Sequence, residues 1–357
     1  MAQPAIPPTL FVTRKWPPAV GGMETWSVHM ARELALLGPV TVSALPGRCG
    51  GRPPAWWQLM LFPFAVLRDY LAMHARPAVV HLGDMALWPL ALLIGRGRRV
   101  VLSAHGTDVA YHRRGGIKGR LYGWYLRLGA RMMRRAAVIA NSSASAVVAR
   151  ETGWRTDAVV PLGTDLSAPD QACGAPIHDN AIVFAGRLVA RKGCGWFVRE
   201  VMPLLPQGIT LKIAGTPWDA GESWVLNHPR VAHLGPLAPE QLAQVYARAL
   251  CVIVPNIEPA NGEFEGFGLV ACEAAACGGV VLAARTGGLV EAVRDGETGL
   301  LLPSGDALAW ADAIGNVARW SEPERESFCE KARAAARLHY AWSRVARDTA
   351  DVYGRMA

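Results

Sequence analysis

Short apolar runs alternate along this chain with longer stretches whose apolar residues recur every three or four positions. TLFVT (9–13), VTVSAL (40–45), AVVHLG (78–83), RVVLSAHG (99–106) and AAVIANS (136–142) are too short for helices and read as strands. The last three end in small or polar residues, as strands do where ligands sit beyond their carboxyl ends. METWSVHMARELALLG (23–38) reads as an amphipathic helix closed by Gly38. VVPLGTDLSAPDQACGAPIHDN (159–180) is rich in Pro, Gly and Asp and marks a domain boundary. After it the pattern restarts, with AIVFAGRL (181–188), TLKIAGT (210–216), RVAHLGP (230–236), CVIVPN (251–256) and VVLAARTGG (280–288) as strands. GLVACEAAACG (268–278) opens a helix, and AWSRVARDTADVYGRM (341–356) is a closing helix. Two rounds of strand–helix alternation predict an α/β protein of two Rossmann-like halves with a cleft between them. The 357 residues also exceed what one core usually holds.

Composition narrows the setting. Apolar residues make up 51% of the chain and charged residues 18%, which is globular composition and argues against extensive disorder. The start, MAQPAIPPTLFVTRKW, has no basic region before a long apolar run, so no secretory leader is expected. MALWPLALLIG (85–95) is about half of what a bilayer span needs. The seven cysteines include no Cys-x-x-Cys pair and read as reduced cytoplasmic thiols. The net charge of +8 is uneven: residues 1–166 carry 20 Lys/Arg against 8 Asp/Glu, and residues 167–357 carry 17 against 21. Such a basic half suits an anionic partner. AWWQLMLFPFAVLRDYLAM (55–73) offers Trp56, Trp57, Phe62 and Phe64. IKGRLYGWYLRLGARMMRRA (117–136) interleaves Tyr122, Trp124 and Tyr125 with Lys118, Arg120, Arg127, Arg131, Arg134 and Arg135. Both have the composition of interfacial helices, so an anionic membrane surface is the expected partner. The plain alternative is two amphipathic helices packed on the sheet with solvated arginines. No aromatic-basic recognition motif supports nucleic-acid binding.

Four motifs are candidates for chemistry. In EFEGFGLVACEAAACGG (263–279), seven residues separate Glu265 from Glu273. Glu265 falls in a loop before a helix, and Glu273 more than a turn inside it. That helix start suits a phosphate or a polyol, with the two carboxylates accepting from sugar and ribose hydroxyls. The bland reading is a glutamate favouring a helix dipole plus one on the surface. In GRLVARKG (186–193), Arg187 and Lys192 follow a strand end and could neutralise a diphosphate; an isolated Arg/Lys pair is more often a solvated loop. Gly21 and Gly22 sit between the first strand and first helix, where backbone can approach an anion, or they form a plain βα turn. His105 ends a strand in SAHGTDV (103–109), and a lone histidine is more often structural than catalytic. No Asp-x-Asp, no His/Cys/Asp metal cluster and no Gly-x-Ser-x-Gly elbow is present.

Together these pieces resemble the retaining glycosyltransferases of family four, of the group 1 type, on the GT-B fold. GGME (21–24), GRLVARKG and the Glu-x7-Glu of EGFGLVACEA carry the resemblance, with TGGLVEAVRDGETGLLLP (286–303), HGTD and VIANS in support. It implies an acceptor-binding domain over 1–165 and a nucleotide-sugar domain over 166–340. A C-terminal helix over 341–357 would return to the first domain. It also implies roles. Arg187 and Lys192 would bind the donor diphosphate, after Gly186. Glu273 would hold the ribose. Glu265, with the backbone of Gly266, Phe267 and Gly268, would hold the sugar. The amides of Leu269 and Val270 and the backbone of Gly21 and Gly22 would meet phosphate. Backbone from His233 to Gly235 would line the base, and His105 would face sugar and acceptor. The implied reaction is retaining, needs no metal or other cofactor, and moves a hexose-type sugar to a glycan or lipid-linked acceptor. The implied setting is cell-envelope polysaccharide or lipopolysaccharide synthesis, in the cytoplasm at the inner face of the plasma membrane. A polar insert in VPNIEPANGEFEGFG (254–268) departs from the family pattern. The alternatives are a nucleotide-sugar epimerase or hydrolase on the same fold, or a non-catalytic nucleotide-sugar-binding subunit.

Overall fold

The computed structural model describes residues 6–48, 51–167, 179–258 and 262–356. The chain forms two compact units, with passage from the first to the second after Gly163 and back after Ala341.

The first unit is built on β1 (Thr9–Trp16), β2 (Val40–Pro46), β3 (Val79–Leu82), β4 (Arg99–Ala104), β5 (Ala137–Ala140) and β6 (Ala158–Val159). They form one parallel sheet in the order β2-β1-β3-β4-β5-β6. Its helices are α1 (Gly22–Leu37), α2 (Trp56–Ala72), α3 (Leu90–Ile94), α4 (Thr107–Ala110), α5 (Gly116–Met132) and α6 (Ser143–Glu151). The second unit holds β7 (Asp179–Ala185), β8 (Thr210–Ala214), β9 (Val231–Gly235), β10 (Ala249–Val254), β11 (Val281–Ala284) and β12 (Leu300–Leu302). These also run parallel, in the order β12-β11-β10-β7-β8-β9. Its helices are α7 (Cys194–Trp196), α8 (Pro239–Ala247), α9 (Leu269–Ala276), α10 (Leu289–Ala292), α11 (Ala307–Ala318) and α12 (Glu322–His339). The last helix, α13 (Trp342–Arg355), belongs to the first unit and packs on α1.

Each sheet has one place where the strand order reverses. In the first it lies between β1 and β3, and in the second between β7 and β10. At such a reversal the connecting helices leave on opposite faces and open a crevice at the carboxyl ends of the two strands. The central strands read as continuous apolar runs because both faces are covered; β5, β10 and β11 are buried at every position.

α13 is held by chemistry as well as packing. The imidazole of His29 on α1 stacks on Trp342, with ring centroids 4.9 Å apart and planes 3° off parallel. The Tyr353 hydroxyl lies 2.7 Å from Nδ1 of His81, whose Nε2 is 2.8 Å from the Ser103 hydroxyl. Burial drives the His81 pKa down to about 3, with the nearby His105 adding to the shift, so the ring is neutral.

The expected helix over 23–38 is α1, ending one residue earlier, where Gly38 donates its amide to the Leu34 carbonyl. The helix within 117–136 stops at Met132, and its inward face is a stripe of Gly119, Gly123 and Gly129 with Leu126. A Cβ at Gly129 would come within 3 Å of Trp154 and Trp88, so the glycine is what lets α5 pack this closely. Tyr122 and Tyr125 point into the unit, contrary to an interfacial role. Their hydroxyls donate to the carbonyls of Asp108 at 2.7 Å and Ala86 at 2.6 Å. Phe62 is likewise buried. Residues 168–178 of the expected boundary and 259–261 of the polar insert lie outside the described residues.

Candidate functional site

The reversal point of the second sheet collects most of the expected site. β7 ends at Ala185, and Gly186 turns the chain at a φ of 134°. Arg187 follows, exposed, with its guanidinium carbon 5.0 Å from the ring centroid of Trp218 in the loop after β8. A single 3-10 turn over Ala190–Lys192 then presents Arg191 and Lys192 together. The left-handed Gly193 closes it at a φ of 71°, with its backbone pressed on Pro255 after β10. The amide of Ile257 donates to the Arg191 carbonyl at 3.1 Å, so the loops after β7 and β10 are stitched to each other.

Glu265 is the centre of this arrangement. Its carboxylate lies 2.6 Å from Lys192 Nζ and 2.6 Å from Arg191 Nη1, and accepts from Asn256 Nδ2 at 3.0 Å. Burial alone would raise its pKa, but Lys192 and Arg191 outweigh burial and hold it at about 2. The loop after β11 fixes its backbone, because Gly288 donates its amide to the Glu265 carbonyl at 2.9 Å. Gly266, Phe267 and Gly268 are buried and lead into α9, whose first residues are Leu269 and Val270. Glu273 lies on α9, and its carboxyl has no hydrogen-bond partner among the described residues. Burial raises its pKa to about 7, against the pull of Lys192. So one carboxylate here is fixed as an anion and its neighbour is poised to titrate.

At the far side of the same sheet, Gly215 after β8 donates to the Gly235 carbonyl at 2.8 Å. The exposed His233 ring on β9 lies 2.8 Å from the Gly215 carbonyl through Nε2. Gly235 ends β9 and His233 lies in its middle, with β7 and β8 between that strand and β10, whose following loop carries Glu265.

Gly21, Gly22 and His105 belong to the first unit. Gly21 precedes α1, and a Cβ there would meet the Glu24 carboxylate at 2.6 Å. His105 follows β4 and packs edge-on against Trp26 of α1, with centroids 4.2 Å apart. Its Nε2 lies 3.1 Å from the Gly83 carbonyl. A carbonyl only accepts, so Nε2 carries the proton, and Nδ1 is the bare nitrogen of a neutral ring. Burial lowers the His105 pKa in spite of Asp108 and Asp84 nearby. Asp108 holds the turn, accepting from the amides of His105 at 2.9 Å and Met85 at 3.1 Å. Across the reversal point, Arg14 near the end of β1 donates to Asp84 after β3 at 2.7 Å. Among the described residues no group of three or more His, Cys, Asp or Glu is placed to hold a metal ion.

Two family descriptions match the chain. Glycosyltransferase Family 4 matches residues 20–168, and Glycosyl transferases group 1 matches residues 179–319. The chain belongs to the group 1, family four glycosyltransferases. The D-inositol 3-phosphate glycosyltransferase of Corynebacterium diphtheriae is 33% identical over 234 residues, 61% of this chain and 52% of that protein. The one from a Nocardioides species is 34% identical over 217 residues, 54% of this chain and 45% of that protein. The chain thus spans about half the length of the curated relatives it matches. Anabaena HepE, solved with UDP and glucose, superposes with a TM-score of 0.71 at 19% identity, covering 98% of this chain and 99% of that one. Sucrose-phosphate synthase from Thermosynechococcus elongatus gives 0.74 at 21% identity and 98% of each chain. These likenesses establish the GT-B fold for this family four chain.

Three partners in this arrangement escaped sequence reasoning. Arg191 was visible only as the neighbour of Lys192, and only the 3-10 turn aims both at one carboxylate. Asn256 carried no signal beyond ending a strand. Trp218 lies thirty-one residues from Arg187 in sequence, and the parallel pairing of β7 with β8 brings them together.

Proposed function

We propose that this family four chain is a retaining glycosyltransferase. It moves a hexose-type sugar from a nucleotide-diphosphate sugar to a glycan or lipid-linked acceptor in cell-envelope polysaccharide or lipopolysaccharide assembly. It works in the cytoplasm, peripherally at the inner face of the plasma membrane. The observation that carries the reading is the convergence of Arg187, Lys192, Glu265 and the amino end of α9 at one reversal point. A parallel sheet binds its ligand at such a point. UDP and glucose in HepE, which shares the fold, support a nucleotide-sugar donor.

In this reading Arg187 and Lys192 neutralise the diphosphate, with the amides of Leu269 and Val270 beside it. Lys192 reaches the phosphate by leaving Glu265. That carboxylate keeps Arg191 and Asn256, so the departure strands no charge. Glu265 and the backbone of Gly266, Phe267 and Gly268 then hold the sugar. Glu273 accepts from the ribose diol, and backbone at His233 to Gly235 lines the base. The first unit is assigned the acceptor, with Gly21 and Gly22 for phosphate and His105 for the sugar.

The bond from the anomeric carbon to the diphosphate oxygen breaks. The acceptor oxygen attacks on the same face, and its proton passes to the departing diphosphate. Arg187 and Lys192 stabilise the charge that develops there, which is the work a metal ion does elsewhere. Glu265 is no nucleophile in this scheme, because Arg191 and Asn256 still hold its carboxylate after Lys192 has moved to the phosphate.

A thermal-shift panel of UDP-, GDP- and ADP-sugars tests the donor, since a ligand at 100 times its Kd adds about 2.7 kcal/mol. Transfer to a membrane-lipid extract, with the anomeric configuration read by NMR, tests the rest. Hydrolysis without acceptor would favour a hydrolase. Binding without any turnover would favour a non-catalytic subunit.

A further inference from the structure

α2 carries no charge from Trp56 to Leu67, yet most of it faces water. Of its seventeen residues only Phe62 and Val66 are buried. Trp56 is 77% exposed, Phe64 71% and Met60 68%, with Trp57 and Leu61 beside them. A solvent-facing helix normally places charges on that side. Large exposed apolar patches mark a contact with something less polar than water.

The topology extends this face. α2, α3 and α5 lie on connections that carry the chain across the sheet in one direction, from β2 through β3 and β4 to β5. Right-handed crossovers put all three on the same side. α1 runs the opposite way, from β1 to β2, and takes the other side with α13. α3 packs on α2 and exposes Leu92 and Leu93. α5 exposes Ile117, Leu121 and Trp124 while its glycine stripe faces inward. α5 contains no acidic residue, and Lys118, Arg120, Arg127 and Arg131 on it are all exposed.

We infer that the α2–α3–α5 face of the first unit seats on an anionic lipid bilayer, with α2 in the interfacial layer and the α5 cations on lipid headgroups. The inference rests on the proposed lipid-linked acceptor for its purpose, and on the exposed residues for its substance. Charge complementarity selects the occupant. A second copy docking face to face would oppose arginines to arginines, whereas anionic headgroups match them. Trp and Phe favour the headgroup boundary, and an apolar helix beside a cationic one is the composition of a surface-lying segment. None of the helices described is long and apolar enough to cross a membrane, and the face needs none to do so.

The test is co-sedimentation of the whole protein with vesicles of phosphatidylcholine alone, or with one-third phosphatidylglycerol, in the absence of donor and acceptor. Binding is expected only with phosphatidylglycerol and should weaken at high salt. Trp56→Ser with Phe64→Ser should abolish it, and Arg127→Glu with Arg131→Glu should weaken it by about tenfold or more. Both double variants should keep the thermal shift given by nucleotide sugars, which separates this inference from the donor assignment. Equal binding to neutral vesicles, or none to either, would overturn it. So would a concentration-dependent dimer that Trp56→Ser with Phe64→Ser dissolves, which would make the face a self-interface.

Discussion

Glu265 and Lys192 meet at 2.6 Å, with the ammonium on the carboxylate oxygen that Arg191 and Asn256 also contact. Three donors on one oxygen are more than a structural ion pair needs. In the proposed reading this surplus lets Lys192 move to the donor phosphate while Arg191 keeps Glu265 ionised.

Arg187→Ala and Lys192→Ala should each lower kcat by about a hundred- to a thousandfold, or about 2.7–4 kcal/mol in the barrier, with far-UV circular dichroism unchanged. Trp218→Ala should act more mildly and through donor KM, because its ring supports the Arg187 guanidinium. Steady-state kinetics decide; near-normal turnover in both cation variants would dismiss the diphosphate assignment.

The two glutamates should separate kinetically. Glu265→Ala should depress kcat, since it orients the reacting sugar. Glu273→Ala should raise donor KM, since a ribose contact exists in ground and transition states alike. Their titration separates them further. Glu273 is raised from 4.5 to about 7, so the folded apoprotein holds its proton more tightly than the unfolded chain. Its stabilising contribution is therefore present below pH 4.5 and lost as pH rises through 7. A ribose diol donating to the carboxylate selects the ionised form. Donor affinity should then fall about tenfold per pH unit below 7 and level off above it. Calorimetry should show proton release on binding near neutrality, and Glu273→Gln should flatten the profile.

In the proposed scheme Arg187 and Lys192 supply the positive charge that the leaving diphosphate requires, so transfer should survive EDTA. Strict dependence on added magnesium or manganese would show that these cations are insufficient.

The strands were the most legible part of the fold, because a parallel sheet covered on both faces writes itself as uninterrupted apolar runs such as AVVHLG and CVIVPN. β6 and β12, two and three residues long, left too little pattern to read. α5 misled in part. Arginines interleaved with aromatics suggest one amphipathic face, but glycines at 119, 123 and 129 turn Tyr122 and Tyr125 inward and Trp124 outward. The Glu265–Lys192 pair joins positions seventy-three apart, and spacing within one element says nothing about that distance. Only the place of β10 beside β7 brings the loops together.

His81 should make the first unit acid-sensitive. Its pKa falls from 6.5 to about 3 on folding, so the unfolded chain binds the extra proton first. Stability is therefore full above pH 6.5 and declines as pH falls towards 3, by about 1.4 kcal/mol per unit. Tyr353→Phe, which takes away the hydroxyl on Nδ1, should cost about 1–3 kcal/mol at neutral pH. Urea titrations at several pH values measure both effects. A flat profile from pH 6.5 to 4.5 would mean that the ring is protonated in the folded state.

The last prediction concerns Gly193, which closes the turn carrying Lys192. At a φ of 71° a side chain is strained wherever it sits, at a cost of about 1–2 kcal/mol. Here a Cβ would also fall 1.8 Å from the Pro255 carbonyl oxygen, in backbone that cannot yield without moving the loop after β10. Gly305 provides the control: its φ is 77°, and a Cβ there meets nothing within 4 Å. Gly305→Ala should therefore cost only the conformational strain and leave transfer intact. Gly193→Ala should lose more stability and also displace Asn256 and Lys192 from Glu265, so that turnover falls at temperatures where the variant is still folded. Thermal unfolding together with donor kinetics compares the two. Equal losses in both would mean that the contact between Gly193 and Pro255 does not position the site.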